Sequence, residues 1–237
     1  MSVKNNLSNY MKYNFNISIK RTNRLKTISL QVKNQEVVLS VPRFVSDGEI
    51  DNIIERKINW INNKLAIEKT NSLDIKRKYE NGDKFLYFGS EYSLIIKDSN
   101  IDNVYLYKNN IIVEVNNNFN ATYIRNILKT WYISESKKYL IKTNSYYEIL
   151  IGVEANKLLF GKYKSKWGSC NSKKIISYDW RIIMAPLEVI HYLIIHELCH
   201  IKYLNHSNNF WNTVEKYMAN YKLQKQWLKT NSNKLIL

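Results

Sequence analysis

The sequence predicts an α+β protein: a β-rich N-terminal part, then a helical part with a small sheet. Two patterns carry the fold class. Up to residue 118, apolar and polar residues alternate in short runs broken by Asn- and Gly-containing turns, the period of half-buried strands. From about Ala121, apolar residues recur at three- and four-residue steps, the period of helices. A third observation sets the centre of interest, because all four histidines of the 237-residue chain lie between His191 and His206.

Residues 1–14 are polar and Asn-rich, and are expected to form a flexible N-terminus. A first domain is expected over 15–118. Within it, residues 15–20, 27–32 and 37–41 read as strands of an antiparallel meander, with a Lys33-Asn34-Gln35 turn before the third and Pro42 after it. Ser46-x-x-Glu49 is a capping box. It opens a helix on which Ile50, Ile53, Ile54, Ile58, Ile61 and Leu65 share one stripe. Asn81-Gly82-Asp83 is a turn signal. The runs at 85–88, 92–96, 104–107 and 111–115 then read as hairpins.

The Asn-rich stretch at 116–120 marks a composition shift, and a second domain is expected over 119–237. Ile124, Leu128, Trp131, Tyr132, Tyr139 and Leu140 read as the apolar positions of a helix over 121–150. Residues 158–160 and 175–180 read as strands flanking a Gly-containing loop at 164–171. The second of these is either an edge strand, open to an extended peptide, or a core strand. Ala185-Pro186 starts the next helix, where Pro is tolerated in the first turn.

Composition narrows the function classes. Hydrophobic residues at 45 % and aromatics at 13 % fit a globular chain. No apolar run approaches the ~18 residues of a membrane span, and the N-terminus has no signal-peptide core, so the cytoplasm and no membrane partner are expected. Two cysteines, Cys170 and Cys199, do not make a disulfide framework. The 36 basic and 20 acidic residues give a net charge of +16. Such a charge attracts polyanions, so nucleic acid or nucleotides are considered as partners. The basic residues are scattered, however, and abundant Lys, Asn, Ile and Tyr also suit an AT-biased genome.

The chemistry sits in His196-Glu197-Leu198-Cys199-His200, an H-E-x-x-H pattern. On a helix, residues four apart share a face, so two imidazoles can converge on one ion. Glu197 lies about 100° round from His196, off the ligand face yet within reach of a metal-bound water. This is the layout of a hydrolytic zinc site, with Zn2+ (one per chain) as cofactor. A continuous helix would carry His206 away, so a break at Asn205, a residue that tolerates the left-handed conformation, is expected to swing it back as third ligand. Ser207 would then cap a helix bearing Phe210, Val214, Tyr217 and Tyr221. The rival third ligand is Glu215. His191, about 140° from the ligand face, is expected to be exposed or hydrogen-bonded.

Several stretches together resemble the YgjP-like family. They are Lys-Trp-Gly-Ser-Cys-Asn-Ser at 166–172, Ile-Ser-Tyr-Asp-Trp-Arg-Ile at 176–182, Ala-Pro-Leu-Glu-Val-Ile, His-Glu-Leu-Cys-His, Leu-Asn-His-Ser and Phe-Trp. The resemblance is specific over about 160–230. It implies a metal-dependent hydrolase allied to the SprT-like and WLM metallopeptidases, whose second half, 119–237, is a zincin-like helical catalytic domain with a small sheet, with zinc on His196, His200 and His206 and Glu197 as general base and acid. One departure concerns Tyr203, which stands where zincins of this histidine spacing commonly carry Gly.

The expected activity is a zinc metallopeptidase cleaving a peptide bond in a protein or peptide substrate. The alternatives are a metal-dependent hydrolase of nucleotide phosphoanhydrides and a basic nucleic-acid module with a structural zinc. Arg181, Tyr178 and Tyr203 are candidate helpers for a developing oxyanion, each with a structural reading beside it. Trp167 either stacks a base or anchors the site wall. Cys170 is either a fourth, inhibitory zinc ligand or a small buried hydrophobe, and Cys199 reads as packing.

Overall fold

The computed structural model describes residues 13–33, 35–71, 77–116, 119–163 and 165–237. Expectations for residues 1–12, Asn34, Lys164 and 117–118 lie outside the described residues. The fold is α+β, with three small sheets and helices. Contacts divide it into two compact units, residues 1–76 and 77–237. The Asn-rich stretch at 116–120 falls inside the second unit, so this division differs from one at 118.

The first unit pairs a three-stranded sheet with one helix. Its strands are β1 (Ile17–Thr22), β2 (Ser29–Lys33) and β3 (Glu36–Pro42), and the helix is α1 (Asp47–Asn71). The expected meander is corrected here. The order is β1-β3-β2, with β1 parallel and β2 antiparallel to β3. Alternation assigns a strand its faces but not its neighbours, and β3, with Val37, Leu39 and Val41 fully buried, takes the centre. The capping box forms as read: Glu49 N–H donates to Ser46 Oγ at 3.3 Å, and Ser46 N–H donates to Glu49 Oε2 at 2.9 Å. Ile50, Ile54 and Ile61 of α1 complete this core.

The second unit begins with two hairpins, β4 (Lys84–Tyr87) to β5 (Ser90–Asp98) and β6 (Asn103–Tyr107) to β7 (Asn110–Val115). They join through a parallel β5–β7 pair into one sheet of order β4-β5-β7-β6. Helix α2 (Ala121–Ile151) follows. Its N-cap Asn120 accepts from Tyr123 N–H, and it ends on Gly152 at φ 71°, the left-handed cap that Gly adopts without a Cβ clash. Ile124, Leu128, Tyr132 and Leu140 form its buried stripe.

Three strands then build the small sheet, β8 (Lys157–Gly161), β9 (Gly168–Cys170) and β10 (Ile175–Asp179), in the order β8-β10-β9. The strand considered as a peptide-accepting edge, β10, is therefore central, because its Ile176 and Tyr178 are fully buried. The edges of this sheet are β8 and β9. A 3-10 turn (Trp180–Met184) leads into α3 (Leu187–Cys199), followed by α4 (Asn208–Tyr217) and α5 (Tyr221–Asn231). One core joins β4, β5, β7, α2, α3, α4 and α5. No described helix is long and apolar enough to cross a membrane.

Candidate metal centre

Helix α3 is the most buried helix of the second unit: Val189, Ile190, Ile194, Ile195, Leu198 and Cys199 are fully inaccessible. Such all-round burial fixes its rotation, and so the direction in which His196 and His200 point. The helix ends at His200, five residues before the expected break. Ile201 N–H donates to Leu198 O, while Lys202 and Tyr203 N–H both donate to Cys199 O. These tight terminal bonds turn the chain with no left-handed residue, so Asn205 does not act as the left-handed stop. Ser207 does cap α4, its hydroxyl accepting from Phe210 N–H. Turn and cap together bring His206 back over the end of α3.

His196, His200 and His206 converge, with one ligand nitrogen from each lying within 4.8 Å of the others. The Nε2 atoms of His196 and His206 are 3.1 Å apart. His200 Nδ1 lies 2.9 Å from Tyr203 O. A carbonyl only accepts, so Nδ1 carries a proton toward it. Phe210, itself fully buried, packs against all three imidazoles, with ring centroids at 5.0, 4.5 and 4.8 Å from His196, His200 and His206. Trp211 stacks on His206 at 5.4 Å. Burial, then the neighbouring His200, His206 and Lys225, pushes His196 down to about 3. Burial also lowers His206. Neutral imidazoles are the form that ligates a metal. A tetrahedral Zn2+ with Zn–N bonds of ~2.0–2.1 Å sets its ligand nitrogens about 3.3 Å apart, close to the spacing observed for His196 and His206. The donor set fits zinc.

Glu197, next to His196 on α3, is 4 % exposed. Burial pushes its carboxyl up to about 8, against the opposing pull of the Lys166 ammonium. Its Oε2 has no hydrogen-bond partner among the described residues. The carboxylate lies under β9 so closely that a Cβ on Gly168 would stand 2.6 Å from Glu197 Oε1.

The other candidates fall out as follows. Glu215 is outside the cluster, half-exposed and 4.0 Å from Lys222 Nζ. Tyr178 is corrected to a core residue: it is fully buried and its hydroxyl donates to Asn144 Oδ1 at 2.9 Å. Arg181 is likewise structural, paired with buried Asp179 at 2.6 Å, donating to Tyr163 O and lying over the Trp167 ring. Trp167 donates Nε1–H to Ser232 Oγ at 3.1 Å, so it anchors the loop wall. Tyr203 contributes its carbonyl to His200 and packs its ring against the core. Cys170, on β9, is not in the metal-ligating cluster, and burial followed by the Glu197 charge pushes its thiol up to about 11. Cys199 is fully buried. His191 lies between two tyrosines, with Tyr139 Oη at 2.8 Å and Tyr147 Oη at 3.2 Å. Sequence reasoning missed Gly168, Lys166, Trp211 and Lys225 as neighbours of the centre. Lys166, Gly168 and Trp211 had a signal, inside stretches already singled out by resemblance, and Lys225 had none.

Two solved structures are similar to part of the chain. The metallopeptidase zymogen of Pyrococcus abyssi abylysin is 22 % identical at a TM-score of 0.35, over 38 % of this chain and 92 % of that one. The metallopeptidase zymogen of Methanocaldococcus jannaschii jannalysin is 25 % identical at 0.35, over 41 % and 97 %. None of the curated proteins matches the chain. The sequence profile "YgjP-like, metallopeptidase domain" matches residues 26–231, which is most of the chain. With its histidines converging beside a buried glutamate, the protein belongs to the YgjP-like metallopeptidase family.

Proposed function

We propose that the chain is a zinc-dependent peptidase in which His196, His200 and His206 hold one Zn2+ and Glu197 is the general base and acid. The observation that carries this reading is the meeting of three ligand nitrogens beside a buried carboxylate of raised pKa. Bound there, zinc would supply Lewis acidity toward a carbonyl oxygen and make water a better nucleophile at neutral pH. Glu197 takes the proton from water as its oxygen attacks the scissile carbonyl carbon. It then delivers that proton to the leaving amine nitrogen as the C–N bond breaks. Tyr203 O holds the His200 tautomer. The β9 edge, which passes Glu197 at Gly168, is the strand to which an extended substrate would add. The free thiols of Cys170 and Cys199 suit the reducing cytosol.

Metal analysis with a paired activity assay tests the reading. Wild type should carry about one zinc per chain and His206→Ala much less. Glu197→Gln should keep its zinc yet cleave an unfolded protein at least ~100-fold more slowly. A folded wild type that refuses zinc when it is offered, or a fully active Glu197→Gln, would sink it.

A further inference from the structure

Helices α4 and α5 frame a groove of ≈ 510 Å³ lined by Trp211, Tyr221, Lys222, Lys225, Gln226 and Lys229. Aromatic stacking connects it to the histidine cluster. Tyr221 stacks on Trp211 at 5.2 Å and 15°, and Trp211 stacks on His206 at 5.4 Å and 20°. Lys225 Nζ lies 4.0 Å over the Trp211 ring and Lys222 Nζ 5.7 Å over that of Tyr221. The spacing of 222, 225 and 229 puts three ammonium groups on one face of α5, a helix with no acidic residue.

Like charges so arranged repel one another, and little nearby offsets them. Lys222 is within 4.0 Å of Glu215, but both side chains are mostly exposed, and such pairs are weak. Lys225 and Lys229 have no carboxylate partner among the described residues. Lys225 is also the cationic side chain acting on His196 and His206, as Lys166 is on Glu197. The centre is thus flanked by ammonium groups from α5 and from the loop before β9.

We propose that the α4–α5 groove is a specificity subsite that receives acidic side chains, Asp or Glu, of the polypeptide cleaved at the histidine cluster. This deepens the peptidase reading and rests on it. A peptide carboxylate fits better than a nucleic-acid base. Trp211 is stacked with both His206 and Tyr221, and Tyr221 is 7 % exposed, so neither ring offers a platform for a base. The groove's volume suits a few side chains.

The test uses zinc-loaded full-length protein and matched peptides carrying Glu or Gln on either side of the cleaved bond. Wild type should favour Glu by about fivefold or more in kcat/KM, the scale of one exposed ion pair. Lys225→Glu/Lys229→Glu should invert the preference toward Lys-containing peptides. The wild-type preference should shrink with salt, as the Debye length falls from ~10 Å at 0.1 M to ~3 Å at 1 M. Fluorescence anisotropy of the labelled peptides on Glu197→Gln protein reads the groove without relying on cleavage. Preferential binding of the Glu peptide, lost on charge reversal, supports the subsite even if no peptide is cleaved, in which case the peptidase reading is what fails. Equal binding of Glu and Gln peptides, or a preference that survives the reversal, overturns the proposal. So does an oligonucleotide that binds more tightly than the Glu peptide and is lost on the same reversal.

Discussion

Gly168 and Glu197 show how one missing Cβ makes room for a buried carboxylate. An alanine methyl there would lie 2.6, 2.8 and 2.9 Å from Glu197 Oε1, Cγ and Cδ. Either β9 or the carboxylate must move. Gly168→Ala should keep its zinc but lose about 100-fold in peptide cleavage, the cost of roughly 1 Å of misplacement. Unchanged kcat in a zinc-loaded Gly168→Ala would show that Glu197 does not depend on this contact. His191 makes a second prediction at this scale. Burial lowers its pKa, with Glu188 opposing and the Tyr139 and Tyr147 hydroxyls against its ring. A histidine with a depressed folded pKa contributes stability that is present above its unfolded value of ~6.5 and is lost as pH falls through the folded value. His191→Gln removes that titration, so its Tm should fall less steeply than wild type below pH ~6.5. Parallel Tm–pH curves would refute this.

At the scale of elements, the centre depends on how the end of α3 meets the start of α4. Phe210, in the first turn of α4, touches all three imidazoles from below. Phe210→Leu keeps apolar volume but loses the flat support, and should weaken zinc affinity about 10- to 100-fold, as loss of outer-shell partners does. Competition with a chelating dye reads this directly, and wild-type affinity would mean the histidines orient themselves. The β4–β5 turn supports the other end of α3. Phe88 and Gly89 donate N–H to Ile183 O and Met184 O, and a Cβ on Gly89, at φ 80°, would meet Pro186 at 2.9 Å. Gly89→Ala combines positive-φ strain with overpacking, and should cost roughly 2–3 kcal/mol by chemical denaturation.

At the scale of the whole molecule, all the machinery lies in one unit. Residues 77–237 contain the three histidines, Glu197, β9, the basic groove and a single core. We therefore propose that the first unit is dispensable for metal binding. A fragment of residues 77–237 should fold and bind zinc with the affinity of the full chain, as isothermal titration would measure. A fragment that stays unfolded, or folds without zinc affinity, would show that residues 1–76 are part of the centre. Zinc binding to the folded state alone should also raise stability by about 4 kcal/mol at 1,000 times Kd, an increment that chelator removes.

What the sequence by itself determines is local. That His196 and His200 turn to one side of α3 is legible because i and i+4 on a helix must share a face. The same holds for the capping box, the two hairpins and the α2 stripe, each of which closes within a few residues. Return of His206 could be expected but not its route, since the chain turns on terminal 3-10 bonds at His200 rather than at Asn205. Tertiary structure alone decided that β10 is central with β8 and β9 at the edges, and that β1 pairs parallel with β3. It alone buried Tyr178, committed Arg181 to Asp179, and laid Trp211 against His206 with Lys225 over its ring. Periodicity reports which face of an element turns inward. Which neighbour that face meets depends on contacts between residues far apart in the chain, and no local pattern encodes those.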